Sequence, residues 1–214
     1  MSIQAMILGE TGTGKTASLR NLDPSITLLI QPVKKPLSFR ADGWKYFDPK
    51  DGGNIISTDD ADQIIACMRK TRKKIIVIDD WQYILANEFM RRNMERGYDK
   101  FNDIGRHAWD ILMASNSLPD DVRVYSLAHT QTDELGHTKI KTIGRMLDEK
   151  ITPEGLVTIC LRTQVQDGEY RFITRNNGSD TVKTPMGLFE DHSIENDLAK
   201  VDAAICAYYN INTN

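Results

Sequence analysis

The sequence predicts an α/β domain with a mostly parallel central sheet and an antiparallel hairpin near its C-terminus. Three observations carry this. An apolar strand runs into the glycine-rich loop Gly9-Glu10-Thr11-Gly12-Thr13-Gly14-Lys15-Thr16 and then into a helix-forming segment. Apolar runs such as Lys74 to Asp79 and Val122 to His129 alternate with amphipathic helical stretches, the pattern of helices packed on a sheet. Late in the chain, two β-patterned stretches flank Gln166-Asp167-Gly168-Glu169, and Asp-Gly in that setting signals a hairpin. The 214 residues are read as one domain, 1–214.

Element by element, Met1 to Leu8 reads as a buried strand, despite Gln4. Gly9 to Gly14 is a loop, and Lys15 to Asn21 opens a helix that Asp23-Pro24 stops. Ser25 to Gln31 is the second strand. Pro32 to Pro49 holds three prolines and no clear period, so it reads as loop with a short strand at Tyr46-Phe47. Asn54 to Ser57 is a further short strand. Thr58-Asp59-Asp60 offers caps for a helix with apolar positions at Ala61, Ile64, Ile65 and Met68. Lys74 to Asp79 is the clearest buried strand, and a helix from Trp81 to Arg92 follows. Polar residues from Asn93 to Asp103 predict a loop. Ile104 to Leu118 is an amphipathic helix facing the core with Ile104, Ala108, Ile111, Leu112 and Ser115. Val122 to His129 is another core strand, followed by a polar, basic stretch from Thr130 to Glu154. The hairpin pairs Leu156–Val165 with Tyr170–Arg175. The last helix is expected from Ile194 to Tyr209, with Ile194, Leu198, Val201, Ile205 and Tyr208 as its stripe.

Composition narrows the function classes. A net charge of −3 gives no bulk attraction to nucleic acid, so any such binding must come from local basic patches. Cys67, Cys160 and Cys206 are widely spaced and odd in number, which argues for reduced core thiols rather than a disulfide framework. The four histidines form no metal-binding spacing, and no structural metal is expected. No basic stretch precedes a long apolar run at the start, so no signal peptide is expected. No apolar run approaches the roughly 20 residues that span a bilayer.

Residues 9–16 match GxxxxGK[ST] at every fixed position, in the strand-to-helix setting that the motif requires. Glycines let backbone N–H groups curl around phosphates, and the helix N-terminus adds partial positive charge. Gly9, Glu10, Thr11, Gly12, Thr13, Gly14, Lys15, Thr16 and Ala17 are therefore the candidate ATP-binding residues. Lys15 supplies a full charge to the β and γ phosphates, and the Thr16 hydroxyl reaches Mg²⁺. The strand before Asp79 carries that carboxylate to the phosphate pocket, where it would hold Mg²⁺ through water. Its plainer reading is a helix N-cap. Asp80 is the candidate that polarises the attacking water, with a first-turn helix acid as its plainer reading and Glu10 as a weaker competitor. His129 and Gln131, at the end of the next strand, are candidate sensors of the γ-phosphate if that strand lies beside the first.

These residues resemble the core of RecA-type ATPases. The chain is more closely similar to a family of small phage ATP-binding proteins regarded as single-domain RecA-like recombinases or annealing proteins. The likeness extends through "KKPLSFR", "GYDKFNDIG", "SLPDDVRVYSLAHTQTD", "KTIGRMLDEKITPEGLVTICLR" and "TVKTPMGLFED". It implies a P-loop NTPase fold of the RecA-like core and DNA-stimulated ATP hydrolysis. It implies annealing or strand exchange on single-stranded DNA, a phage origin and action in the host cytoplasm. The partners it implies are single-stranded DNA, further copies of the chain in a ring or filament, and a single-strand-binding protein. One departure matters. The catalytic glutamate that such proteins carry after the second or third strand has no counterpart, since Ser25 to Asp48 contains no glutamate.

By position, two segments resemble the family's DNA-contacting loops. The first holds Arg91, Arg92, Arg96 and Lys100, with Tyr98 and Phe101 placed to stack on bases. The second carries Lys139, Lys141 and Arg145, diluted by Asp133, Glu134, Asp148 and Glu149. Arg175 and Lys183 fall near the place from which a neighbouring subunit reaches the γ-phosphate. Two other classes fit the loop motif: a small-molecule kinase, which would need an arginine-rich lid not visible here, and a regulatory or loader ATPase.

Overall fold

The computed structural model describes residues 1–212. Its centre is one mixed, mostly parallel sheet. The strands are β1 (Ile3–Gly9), β2 (Thr27–Gln31), β3 (Ile55–Ser57), β4 (Ile75–Ile78), β5 (Arg123–Thr132), β6 (Thr138–Ile140), β7 (Ile159–Gln166), β8 (Glu169–Ile173) and β9 (Ser193–Glu195). Their order is β3-β2-β4-β5-β1-β7-β8-β9, with β6 paired to the far end of β5. The strands from β3 to β7 in that order are all parallel, and β8 runs against both of its neighbours. The helices are α1 (Ala61–Lys70), α2 (Gln82–Arg91), α3 (Asp99–Asn116) and α4 (Leu198–Tyr209). A short 3₁₀ segment, Thr16–Asn21, follows the glycine-rich loop.

Side chains of the parallel strands alternate between two cores, as the period of two demands. Met6, Leu8, Ile30, Ile76, Ile78 and Val124 pack under α1, α2 and α3. Ala5, Ile7, Leu29, Val77, Tyr125 and Leu127 pack under α4 and the 3₁₀ segment. The second face also buries a polar knot. Arg123 donates through Nε and Nη2 to Asp202 at 2.9 and 2.8 Å, and the Tyr125 hydroxyl donates to the same carboxylate at 2.6 Å. This knot ties α4 to β5.

Several boundaries differ from the sequence reading. α3 begins at Asp99, inside the expected loop, because Lys100 folds inward and its ammonium donates to the carbonyls of Arg92, Asn93 and Glu95. α4 begins at Leu198 rather than Ile194. Asp197 caps it by accepting from the Ala199 N–H at 3.0 Å, and Ile194 instead belongs to β9. The Tyr46-Phe47 strand is reduced to one bridge between Tyr46 and Ile55. β5 runs on to Thr132 and pairs with β6 inside the expected polar stretch. The hairpin forms as β7–β8, with Asp167 and Gly168 both at positive φ in its turn. Asp60 caps α1, accepting from the Gln63 N–H at 2.8 Å. Among the described residues, no helix is long and apolar enough to cross a membrane.

Removing one member of the buried knot strands the others. Asp202→Ala should lower stability by about 3–5 kcal/mol, because the Arg123 guanidinium is left buried and unpaired. Urea unfolding of the variant beside the parent protein measures this, and pairing Asp202→Leu with Arg123→Met should recover much of the loss.

Candidate phosphate-binding site

The glycine-rich loop leaves β1 at Gly9 and closes over its own lysine. Lys15 Nζ donates to the carbonyls of Gly9 and Glu10, both at 2.8 Å. Burial lowers the Lys15 pKa to about 8, although Asp80 and Asp79 pull it back up. Gly12 and Gly14 sit at φ +80 and +92, where a side chain is strained. Gly14 has a second reason to be glycine, since a Cβ there would lie 2.8 Å from the Tyr170 ring. Gly9 is equally constrained, because a Cβ would fall on the Thr163 hydroxyl. That hydroxyl lies 2.6 Å from the hydroxyl of Thr13.

β4 delivers the acidic end. The Asp79 backbone N–H donates to the Ile30 carbonyl at 2.9 Å, and its carboxylate accepts from Thr16 Oγ1 at 2.9 and 3.1 Å. Burial, with Asp80 beside it, pushes the Asp79 pKa up to about 6. Asp80 has φ +63, a left-handed conformation that costs a non-glycine residue roughly 1 kcal/mol or more. Its carboxylate pairs with the Lys35 ammonium, and His129 Nε2 lies 3.3 Å from it. Burial alone would raise the Asp80 pKa. The hydrogen bonds from His129 and Lys35 outweigh it and bring the value down to about 2. His129 Nδ1 lies 3.2 Å from the Thr11 hydroxyl, so the ring bridges the glycine-rich loop and Asp80.

Thr11, Gly12, Gly14, Lys15, Thr16 and Ala17 line one cleft together with Lys35, Asp80, His129 and Tyr170. Asp79 is buried behind Thr16. Glu10 is exposed and turns toward a separate polar hollow beside Thr13 and Arg162. Gln131 points away from the cleft and donates to Asp148 at 2.9 Å. Arg175 donates to the Glu190 carbonyl at 2.5 Å, and Lys183 forms a backbone bridge with Cys160. Neither lines the cleft of its own chain.

Sequence reading missed Lys35, Tyr170 and Asn196. Beyond Ala17 and Tyr170 a second hollow opens, lined by Arg20, Arg171, Glu195 and Asn196. The Asn196 Nδ2 is buried there without a hydrogen-bond partner. No local pattern marks these residues, and only the fold brings them to the glycine-rich loop. As for a metal, among the described residues no three or more His, Cys, Asp or Glu side chains gather into a cage. The donors at hand are the Thr16 hydroxyl and the Asp79 carboxylate, a hard-oxygen pair suited to a cation that takes its other ligands from phosphate and water.

The two basic segments converge on another groove, where Tyr98 and Phe101 face Gly144, Arg145 and Met146. Their cations divide into two groups. Arg91 pairs with Asp59, Arg92 with Glu88, Glu95 and Asp103, and Lys139 with Asp148. Lys100 is only 8% exposed. Arg96 and Lys141 are exposed, as is Tyr98 at 83%, and the Arg145 side chain, 90% exposed, lies 3.7 Å from the Glu149 carboxylate.

Two predictions follow from this geometry. Gly12→Ala meets open space and should cost only the roughly 1–2 kcal/mol of its positive φ. Gly14→Ala meets the Tyr170 ring as well, so its melting temperature should fall further. The second concerns Asp79, whose pKa is raised from an ordinary 3.8 to about 6. A carboxyl raised on folding favours the fold below its unfolded value and loses that contribution as pH rises through about 6. Asp79→Asn should therefore stabilise the nucleotide-free protein at pH 8, by on the order of 1 kcal/mol or more, with the gain fading toward pH 4. Thermal unfolding across that pH range reads it directly. Comparison with models of protein families and with curated proteins returned no match to this chain.

Proposed function

We propose that the chain binds and hydrolyses ATP with Mg²⁺ as the core of a RecA-like phage recombinase that acts on single-stranded DNA. The observation that carries this reading is the contact between Thr16 and Asp79, residues 63 positions apart, at the back of the cleft that Lys15 and Thr16 line. The sheet order supports it. β5 lies between β1 and β4, so all three present their C-terminal ends to the cleft, the ordinary ligand edge of a parallel α/β sheet.

In this reading the loop N–H groups and Lys15 hold the β and γ phosphates. Thr16 and Asp79 would hold Mg²⁺, which supplies positive charge to the phosphate oxygens. Asp80, backed by His129, orients the attacking water. The hollow past Tyr170 suits the nucleoside, with the Tyr170 ring as a stacking face and the Asn196 amide free to donate. The groove between the two basic segments suits a single strand: Tyr98 is an exposed stacking face, Arg145 lines it, and Arg96 and Lys141 are exposed cations of the same two segments. Arg175 and Lys183, outside their own cleft, are available to a neighbour's site in a ring or filament.

Lys15→Ala should bring ATP hydrolysis to background, measured with and without single-stranded DNA and with candidate nucleoside acceptors. Phosphate transfer to a nucleoside would install the kinase reading instead, and hydrolysis indifferent to DNA would favour a loader or regulatory ATPase. Affinity for single strands should fall with salt at a log–log slope of about −0.7 per neutralised phosphate. Replacing Arg96, Lys141 and Arg145 should flatten that slope. Tyr98→Ala should weaken binding and leave the slope in place, since stacking releases no counterions.

A further inference from the structure

The connection between β2 and β3 delivers a cation that the motif does not announce. Lys34 and Lys35 are adjacent yet part company. Lys34 lies over the Tyr46 ring, its ammonium 4.6 Å from the centroid, while Lys35 turns into the phosphate cleft. The backbone at Lys35 is pinned. The Tyr46 hydroxyl lies 3.2 Å from the Lys35 carbonyl and 2.6 Å from Gln31 Oε1 at the end of β2. Farther along the same connection, Asn54 bonds Pro24, Gly43 and Lys45. Lys35 is thus presented by an anchored segment, with its side chain 39% exposed on the cleft side.

Its partner is equally particular. Asp80 holds a left-handed backbone conformation, and its side chain, 5% exposed, takes one bond from Lys35 and one from His129. Lys15 and Lys35 line the cleft with Asp80, and Asp79 lies just behind Thr16. Lys15 rests on carbonyl dipoles, whereas Lys35 rests on a full negative charge. A terminal phosphate carries about two charges at neutral pH, more than one lysine neutralises. A plain surface salt bridge would need neither the buried carboxylate nor its strained backbone.

We propose that Lys35 is a γ-phosphate cation supplied by the same chain, and that its ion pair with Asp80 is the resting position from which a nucleoside triphosphate takes it. The exchange leaves Asp80 with His129, facing the water to be activated. A diphosphate lacks the terminal group and leaves the pair closed, so the cleft distinguishes the two nucleotides. This deepens the ATPase reading and rests on it.

The test is equilibrium binding of a non-hydrolysable ATP analogue and of ADP to the full chain, with Mg²⁺. Loss of one charge-assisted contact corresponds to a factor of about 10 to 100. Lys35→Ala should therefore lose about 10- to 100-fold in affinity for the triphosphate, while ADP affinity shifts by less than about twofold. Lys35→Arg should keep the triphosphate preference. Asp80→Asn, which frees Lys35, should bind the triphosphate more tightly and hydrolyse ATP more slowly. If Lys35→Ala keeps the parent ratio of triphosphate to diphosphate affinity, the proposal is overturned and the Lys15 site stands. If the parent protein binds neither nucleotide, both readings fall.

Discussion

The hydrogen-bonded ladder of β5 between β1 and β4 is the constraint from which the site follows. β5 pairs with β1 from Ile3↔Arg123 to Gly9↔His129, and with β4 from Ile75↔Arg123 to Ile78↔Ser126. One register therefore sets three things at the same edge: the start of the glycine-rich loop, the ring of His129 and the carboxylates just past Ile78. A slip of one residue would turn every side chain of β5 to the wrong core. The other end of the ladder is secured by Arg123, which opposes both Ile3 and Ile75 and binds Asp202 on α4. A buried ion pair is weak support for stability by itself. Its use here is positional, since it ties the strand that sets the site to the helix that covers the opposite face.

What the sequence made legible was local. The glycine-rich loop, the strand ending in Asp79, the Asp60 cap and the Asp-Gly turn are short patterns whose physics is complete within about ten residues, and each forms where it was read. The α/β class followed from the same patterns. The misses required long-range knowledge. Ile194 satisfies a helical spacing with Leu198 and Val201, yet β8 offers an open edge that pairs with residues 193–195, and Asp197 then starts the helix afresh. Lys100 is one cation among several in a polar stretch, and nothing nearby reveals the three carbonyls that fold around it. Lys35, Tyr170 and Asn196 belong to the cleft only through the strand order.

Charge placement decides how much charge the groove between the two polar segments presents. Arg91, Arg92, Lys139 and Arg145 all pair with neighbouring acids, which fixes the shape of the loops but weakens those cations' contribution to the surface field. Of the segments' cations only Arg145 lines the groove with Tyr98 and Phe101, so the groove combines a single charge with aromatic faces. Such a surface would draw much of its affinity from stacking and comparatively little from counterion release. Affinity of that kind is tolerant of base sequence.

The phosphate cleft follows a different logic, because its charges are balanced at rest. Lys15 and Lys35 line it with Asp80, Asp79 lies just behind Thr16, and each charged side chain has a partner inside the protein. The partners differ in strength. In the proposed reading, carbonyl dipoles would release Lys15 readily to an incoming phosphate, whereas a carboxylate would yield Lys35 only to a group of comparable charge. Thr16 likewise rests on Asp79 and can turn to another ligand without crossing the cleft. In the proposed reading, occupation of the cleft exchanges the partners of lysines whose own desolvation has already been met in folding. The strain at Asp80 belongs to the same arrangement: the left-handed backbone holds a carboxylate where it can pair with Lys35 at rest and stand beside His129 once that partner is drawn away.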